Sequence, residues 1–156
     1  MNFCDLRFAD PGCGASETWY NGLRSRRACF YTMAYVMPRI MIVEDESDVR
    51  EFLTRAVHRL LPDAVVDSAD NGAVALELFQ QHDYHLILTD QRMPVMRGTD
   101  LLSSIRASGS DVPIVFITAD MIAEEQALQA GASAVFIKPV SLRQLRQILE
   151  TWIEPT

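Results

Sequence analysis

Glu44 with Asp45, Asp90, Thr118 and Lys138 share one setting: each follows closely on a short apolar run. The runs are Ile40-Met41-Ile42-Val43, Leu86-Ile87-Leu88, Ile114-Val115-Phe116-Ile117 and Ala134-Val135-Phe136-Ile137. Runs without alternation read as strands covered on both faces, as in a parallel sheet. In such a sheet all the carboxyl ends lie on one edge, and ligands bind in the crevice outside them. Three carboxylates gathered there repel, since two unit charges ~4 Å apart at an effective dielectric of ~20 interact by about 4 kcal/mol. The group therefore calls for cations. Lys138, the single lysine of the chain, supplies one charge, and a metal is expected to supply the rest. Oxygen-only donors suit Mg2+, which takes one or two carboxylates, several waters and a phosphate. A carboxylate nucleophile beside that metal makes a phosphoryl-transfer site, where catalysis is positioning and charge neutralisation.

The intervening segments must be helices that fold the strands side by side. Val49, Phe52, Leu53, Ala56, Val57, Leu60 and Leu61 lie at helical spacing on one face, and Pro62 ends the run. Glu46, Asp48 and Glu51 crowd the first turn, where the helix dipole favours acids. Ala64-Val65-Val66 reads as a short strand near an edge of the sheet. Asp70-Asn71-Gly72 then opens a helix that buries Val74, Ala75, Leu78 and Phe79. A third helix carries Leu101, Leu102 and Ile105 and closes near Ser108-Gly109, and the strand from Pro113 follows. The helix from about Met121 to Ala130 has few large apolar residues, so weak packing and easy movement are expected of it. After Gly131 and the fifth strand, Ser141 and Gln144 form a capping box for a last helix with Leu145, Ile148, Leu149, Trp152 and Ile153 inward. Five strand-then-helix repeats with short connections imply a parallel sheet with right-handed crossovers.

Composition narrows the function classes. A chain of 156 residues fits one domain of ordinary size with a proper core. The formal charge of -7 opposes non-specific nucleic-acid binding, which depends on Lys and Arg at phosphates. No apolar stretch approaches the ~20 residues that span a bilayer. Residues Ala28 to Met37 follow three arginines but lack a small-residue cleavage site, so they are not read as a signal peptide. Cys4, Cys13 and Cys29 have neither zinc spacing nor a nearby histidine, and a reduced, cytoplasmic setting is the simplest expectation. Residues 1–36 lack regular periodicity and carry four arginines against three acids. They are expected to be a poorly ordered extension, either a basic-aromatic arm or a stretch upstream of a natural start at Met33 or Met37, with the domain proper at 37–156.

Val43-Glu44-Asp45-Glu46, Thr89-Asp90 with Met93-Pro94 and Gly98, Ile117-Thr118-Ala119, and Gly131-Ala132 with Lys138-Pro139 together resemble the receiver domain of bacterial two-component response regulators, over residues 38 to 154. The resemblance implies a doubly wound, flavodoxin-like α/β fold: five parallel strands in the order 2-1-3-4-5, with five helices. It implies that Asp90 accepts a phosphoryl group from a sensor histidine kinase, a histidine phosphotransfer protein or a small phosphodonor. Asp45 would bind Mg2+ directly and Glu44 through water, with Asp90 itself and the backbone carbonyl of Arg92 completing the protein's share. Thr118 and Lys138 would hold phosphoryl oxygens, and the Lys138-Pro139 bond would be cis. The output would be a changed surface on the fourth helix, fifth strand and fifth helix, binding a partner protein or a second copy of the chain.

Two positions depart from the family pattern. Val135 stands where an aromatic residue commonly turns inward on activation, and Phe136 beside it should face the other side of the strand. Arg92 and Asp120, each two residues after a site residue, are candidates to pair across the pocket mouth and slow hydrolysis; two solvated rim charges are the plainer alternative. His58, His82 and His85 lack ligand spacing, and Met93 and Met96 read as packing under the loop after Asp90. A docking module without phosphorylation is the main rival. Less favoured is an aspartyl-phosphate phosphatase, because Arg92 stands where that class resembles a pattern with a second acid.

Overall fold

The computed structural model describes residues 37–119 and 121–153. The extension over residues 1–36 and the rim residue Asp120 lie outside the described residues. In chain order the elements are β1 Arg39–Val43, α1 Ser47–Leu60, β2 Val65–Ala69, α2 Gly72–Gln81, β3 Leu86–Thr89, α3 Gly98–Ala107, β4 Ile114–Thr118, α4 Met121–Gln129, β5 Ala134–Ile137 and α5 Leu142–Trp152. The strands form one parallel sheet in the order β2-β1-β3-β4-β5. The order reverses between β1 and β3, so a crevice opens beyond their carboxyl ends.

Successive strand residues feed opposite faces, and the core is accordingly double. Ile40, Ile42, Leu86, Leu88, Val115 and Ile117 pack with Leu53, Val57, Leu145 and Ile148 of α1 and α5. Met41, Val43, Ile87, Ile114 and Phe116 pack with Ala75, Leu101, Leu102, Ile105 and Ala127 of α2, α3 and α4. Fully burying a Leu or Ile side chain stabilises the fold by roughly 1.5–3 kcal/mol, and both faces of β1, β3 and β4 are covered in this way. Local signals agree with the packing at two helix starts. Asn71 accepts hydrogen bonds from the N–H groups of Ala73 and Val74 to start α2, and the Ser141–Gln144 capping box is present on α5.

Several expected boundaries and faces differ. The second strand is Val65–Ala69 rather than Ala64–Val66, because its ladder with β1 runs from Arg39–Val65 to Val43–Ala69 and carries the polar Asp67 and Ser68 along. β4 begins at Ile114, since Pro113 has no N–H to donate. Leu61 is the C-cap of α1 and not part of its last turn. Phe52 and Val74, expected inside, are 47% and 39% exposed. Each precedes a buried residue, Leu53 or Ala75, and lies ~100° around the helix from it, outside the inward stripe.

Candidate functional site

β1 and β3 are paired with Val43 level with Thr89, so the residues that follow them emerge together. The Asp90 N–H donates to the Val43 carbonyl at 3.0 Å, and the Glu44 N–H donates to the Ala69 carbonyl at 3.0 Å. The ladders thus continue one residue past the strands and fix both acids. Arg50, in the first turns of α1, donates to the carbonyls of Glu44 at 2.6 Å and Asp45 at 3.2 Å, which holds the loop between β1 and α1. Glu44, Asp45 and Asp90 each offer a carboxylate oxygen within 4.8 Å of the others. Glu44 is 1% exposed and Asp90 8%, whereas Asp45 is open to solvent.

β5 brings Lys138 to the same place. Its Nζ lies 2.7 Å from Glu44 Oε2 and 2.9 Å from Asp90 Oδ2, and its backbone N–H donates to the Thr118 carbonyl at 2.9 Å. The Lys138-Pro139 bond is cis. Burial alone would lower the Lys138 pKa, but its hydrogen bonds to Glu44 and Asp90 outweigh that and raise it, so the ammonium stays charged. Glu44 also titrates above the ordinary carboxylate range, because desolvation exceeds what Lys138 returns, with Asp90 adding repulsion. One ammonium group therefore does not offset the burial of Glu44. Glu44 Oε1 is buried and finds no hydrogen-bond donor among the described residues. An orphaned oxygen on one of three grouped carboxylates is a fit for a hard cation or its bound water, and the residues present fit Mg2+.

The segment after Asp90 closes tightly. Gly98 abuts the Asp90 carbonyl, and a Cβ there would overlap that oxygen and crowd Phe116. Val95 has φ 67° at the centre of a γ-turn in which the Met96 N–H donates to the Pro94 carbonyl at 2.7 Å. Met93 is buried and Met96 half-buried, as their packing role requires. The Met96 carbonyl accepts from the Gly72 N–H at 3.3 Å, which ties the loop to the start of α2.

The sheet thus brings Glu44, Asp90 and Lys138 into contact, with Asp45 beside the two acids and Thr118 joined to Lys138 through the backbone. Arg92 stands exposed at the start of the loop, and Asp120, its expected partner, is outside the described residues. Val135 and Phe136 face opposite cores, as strand alternation demands. Two contributors escape sequence patterning. Arg50 could have been suspected as a base one turn into a helix that starts beside an acidic pair; Gln91, buried at 6% exposure, gives no such signal. An apolar cleft lined by Val49, Phe52, Leu53, Pro139 and Val140 opens between α1 and the turn after β5, and Lys138 forms one wall.

The family model for the response regulator receiver domain matches residues 40–150. Chemotaxis protein CheY-3 of Vibrio cholerae is 35% identical over 123 residues, covering 74% of this chain and 92% of that protein. Among solved structures, the receiver domain of sensor histidine kinase PA1611 from Pseudomonas aeruginosa, with a magnesium ion in its active-site cleft, is 29% identical. Its TM-score is 0.69, over 77% of this chain and 100% of that one. Response regulator protein TrrA of Thermotoga maritima, in complex with Mg(2+)-BeF, is 26% identical with a TM-score of 0.69, over 75% of this chain and 100% of that one.

Proposed function

The chain belongs to the response regulator receiver family, and from that premise we propose that Asp90 is its phosphoacceptor and that Glu44, Asp45, Asp90 and the Arg92 carbonyl hold Mg2+. Phosphorylation-based two-component signalling is the general work of this family. The observation that carries the residue assignment is the bridge from Lys138 Nζ to both Glu44 and Asp90, at 2.7 and 2.9 Å, beside the exposed Asp45 and the orphaned Glu44 Oε1. One Asp90 carboxylate oxygen attacks phosphorus, forming an O–P bond as the bond to the leaving imidazole or acetate breaks. Lys138 exchanges its contact with Asp90 for a phosphoryl oxygen, and Thr118, at the end of β4, donates its hydroxyl to another. Mg2+ held by Glu44, Asp45, Asp90 and the Arg92 carbonyl would supply positive charge to offset what builds on the phosphoryl oxygens. Arg50 and the β1–β3 ladder keep the acids from recoiling.

The phosphoryl donor is a phosphohistidine on a sensor kinase or phosphotransfer protein, which implies the cytoplasm as the place of reaction, and the open cleft beside α1 gives such a donor access. The modified Asp90 carries more charge and strong acceptors. Drawing Thr118 inward moves the segment before α4 and changes the surface of α4, β5 and α5, where an output protein or a second copy of the chain binds. No substrate is turned over apart from the domain's own phosphorylation and dephosphorylation.

Intact-mass spectrometry after incubation with acetyl phosphate tests this. A single phosphoryl adduct is expected that requires both Mg2+ and Asp90 and is absent in Asp90→Asn. A folded protein with no adduct under any of these conditions, or one that persists in Asp90→Asn, contradicts the assignment.

A further inference from the structure

Gln91 links the expected nucleophile to α3 through three hydrogen bonds, one to Asp90 and two to α3. Its backbone N–H donates to Asp90 Oδ1 at 2.6 Å, its carbonyl accepts from the Gly98 N–H at 3.2 Å, and its side-chain Nε2 donates to Thr99 Oγ1 at 3.2 Å. Gly98 and Thr99 are the first two residues of α3, whose Leu101, Leu102 and Ile105 are fully buried. The tether therefore ends on a firmly packed element. Gln91 Oε1, in contrast, is buried and has no donor among the described residues.

A buried amide with half of its hydrogen-bonding capacity unused costs folding free energy, and an apolar side chain of similar length would remove that cost. Stability alone does not account for glutamine here. The geometry accounts for it in another way: the side chain is fixed by Thr99, the carbonyl by Gly98, and the Asp90 carbonyl, which shares a peptide plane with the Gln91 N–H, accepts from the Thr89 hydroxyl, so residue 91 has little freedom and its N–H is aimed at one oxygen of Asp90. The other oxygen faces Lys138. We propose that Gln91 is a positioning residue whose side chain, held by Thr99, aims its own peptide N–H at Asp90 Oδ1 and so orients the carboxylate for attack on the phosphoryl donor. The proposal rests on the reading of Asp90 as phosphoacceptor and adds how that carboxylate is oriented.

The test uses the full chain, labelled with 15N, as wild type, Thr99→Val, Thr99→Ser and Gln91→Met. Two quantities are read: the chemical shift and exchange rate of the Gln91 amide proton, and the rate of adduct formation with acetyl phosphate at saturating Mg2+. In Thr99→Val the Gln91 amide signal is expected to move upfield and exchange faster, and phosphorylation to slow by roughly three- to tenfold, the loss from one neutral hydrogen bond. Thr99→Ser should restore both signal and rate. Gln91→Met should slow phosphorylation by the same factor while unfolding at no lower urea concentration than wild type. An unaltered amide and rate in Thr99→Val, no rescue by Thr99→Ser, or a rate loss that merely follows lost stability in Gln91→Met would overturn the positioning role. A wild type that takes no phosphoryl group would sink the phosphoacceptor reading, while the amide measurement would still decide whether Thr99 sets the Gln91 peptide.

Discussion

All four residues of β3 are buried, and the acids that follow β1 and β3 are pinned by ladder bonds and by Lys138. On the far flank of the sheet β5 is half-buried along three residues and exposed at Ile137, and of residues 124–129 in α4 Ala127 alone is buried. The two regions meet different requirements. Phosphoryl transfer needs atoms held to a fraction of an ångström, because misplacing them by 1 Å costs about 100-fold in rate. A signal needs an element that moves cheaply, and residues 124–129, which bury one small side chain, give up little contact when they shift. The proposed function puts the chemistry at the ends of β1 and β3, with Lys138 reaching in from β5, and the readout on α4 and the exposed side of β5; four measurements can break or sharpen that contrast.

Lys138→Met should have the largest effect. It leaves Glu44 and Asp90 buried without their cation, and removal of one partner from such a group costs about 3–5 kcal/mol. Urea unfolding of the metal-free protein at neutral pH reads this, and added Mg2+ should recover part of it. Next comes a paired truncation: Ile105→Ala, on the fully buried stripe of α3, should cost about 2–5 kcal/mol, whereas Leu128→Ala, on a side chain of α4 that is 48% exposed, should stay within about 0.5 kcal/mol. Equal losses would erase the contrast. Third, Val95 is a β-branched residue at positive φ and 86% exposed, so nothing around it repays the strain. Val95→Asn should raise stability by about 1 kcal/mol, and a loss would show that the loop needs the valine side chain.

The smallest effect is on pH dependence. Lys138 titrates high because its hydrogen bonds to Glu44 and Asp90 overcome burial. Tyr84 titrates high because burial comes first and its hydrogen bond to Asp67, 2.8 Å away, second. A folded-state pKa above the unfolded one gives a contribution that is complete below the unfolded value and lost as pH rises through the folded one. Metal-free protein should therefore become easier to unfold above about pH 10. Lys138→Met and Tyr84→Phe should each flatten that fall, and a steeper fall in either would contradict the assigned direction.

Sequence reached the fold through the apolar runs of β1, β3 and β4, and the residues of the candidate site are the polar ones that follow those runs and β5. Both signals are local, and parallel pairing turns them into one pocket. The missed features depend on neighbours distant in the chain. β2 extends through Asp67 and Ser68 because β1 supplies a ladder, which no periodicity in Val65–Ala69 reveals. Phe52 and Val74 are apolar at nearly the right spacing, and only the position of the sheet separates inward from flanking. Gln91 looks like an ordinary loop residue until α3 is placed over it, since its partner Thr99 is eight positions away across a turn.

The division between fixed chemistry and mobile readout is tested most directly by hydrogen exchange read by mass spectrometry, with acetyl phosphate and Mg2+ on wild type and Asp90→Asn. The account predicts that phosphorylation changes exchange in peptides from α4 and β5, leaves those from β1, β3 and α3 protected as before, and does neither in Asp90→Asn. Changes of equal size on both sides of the sheet, or the same changes in Asp90→Asn, would contradict it.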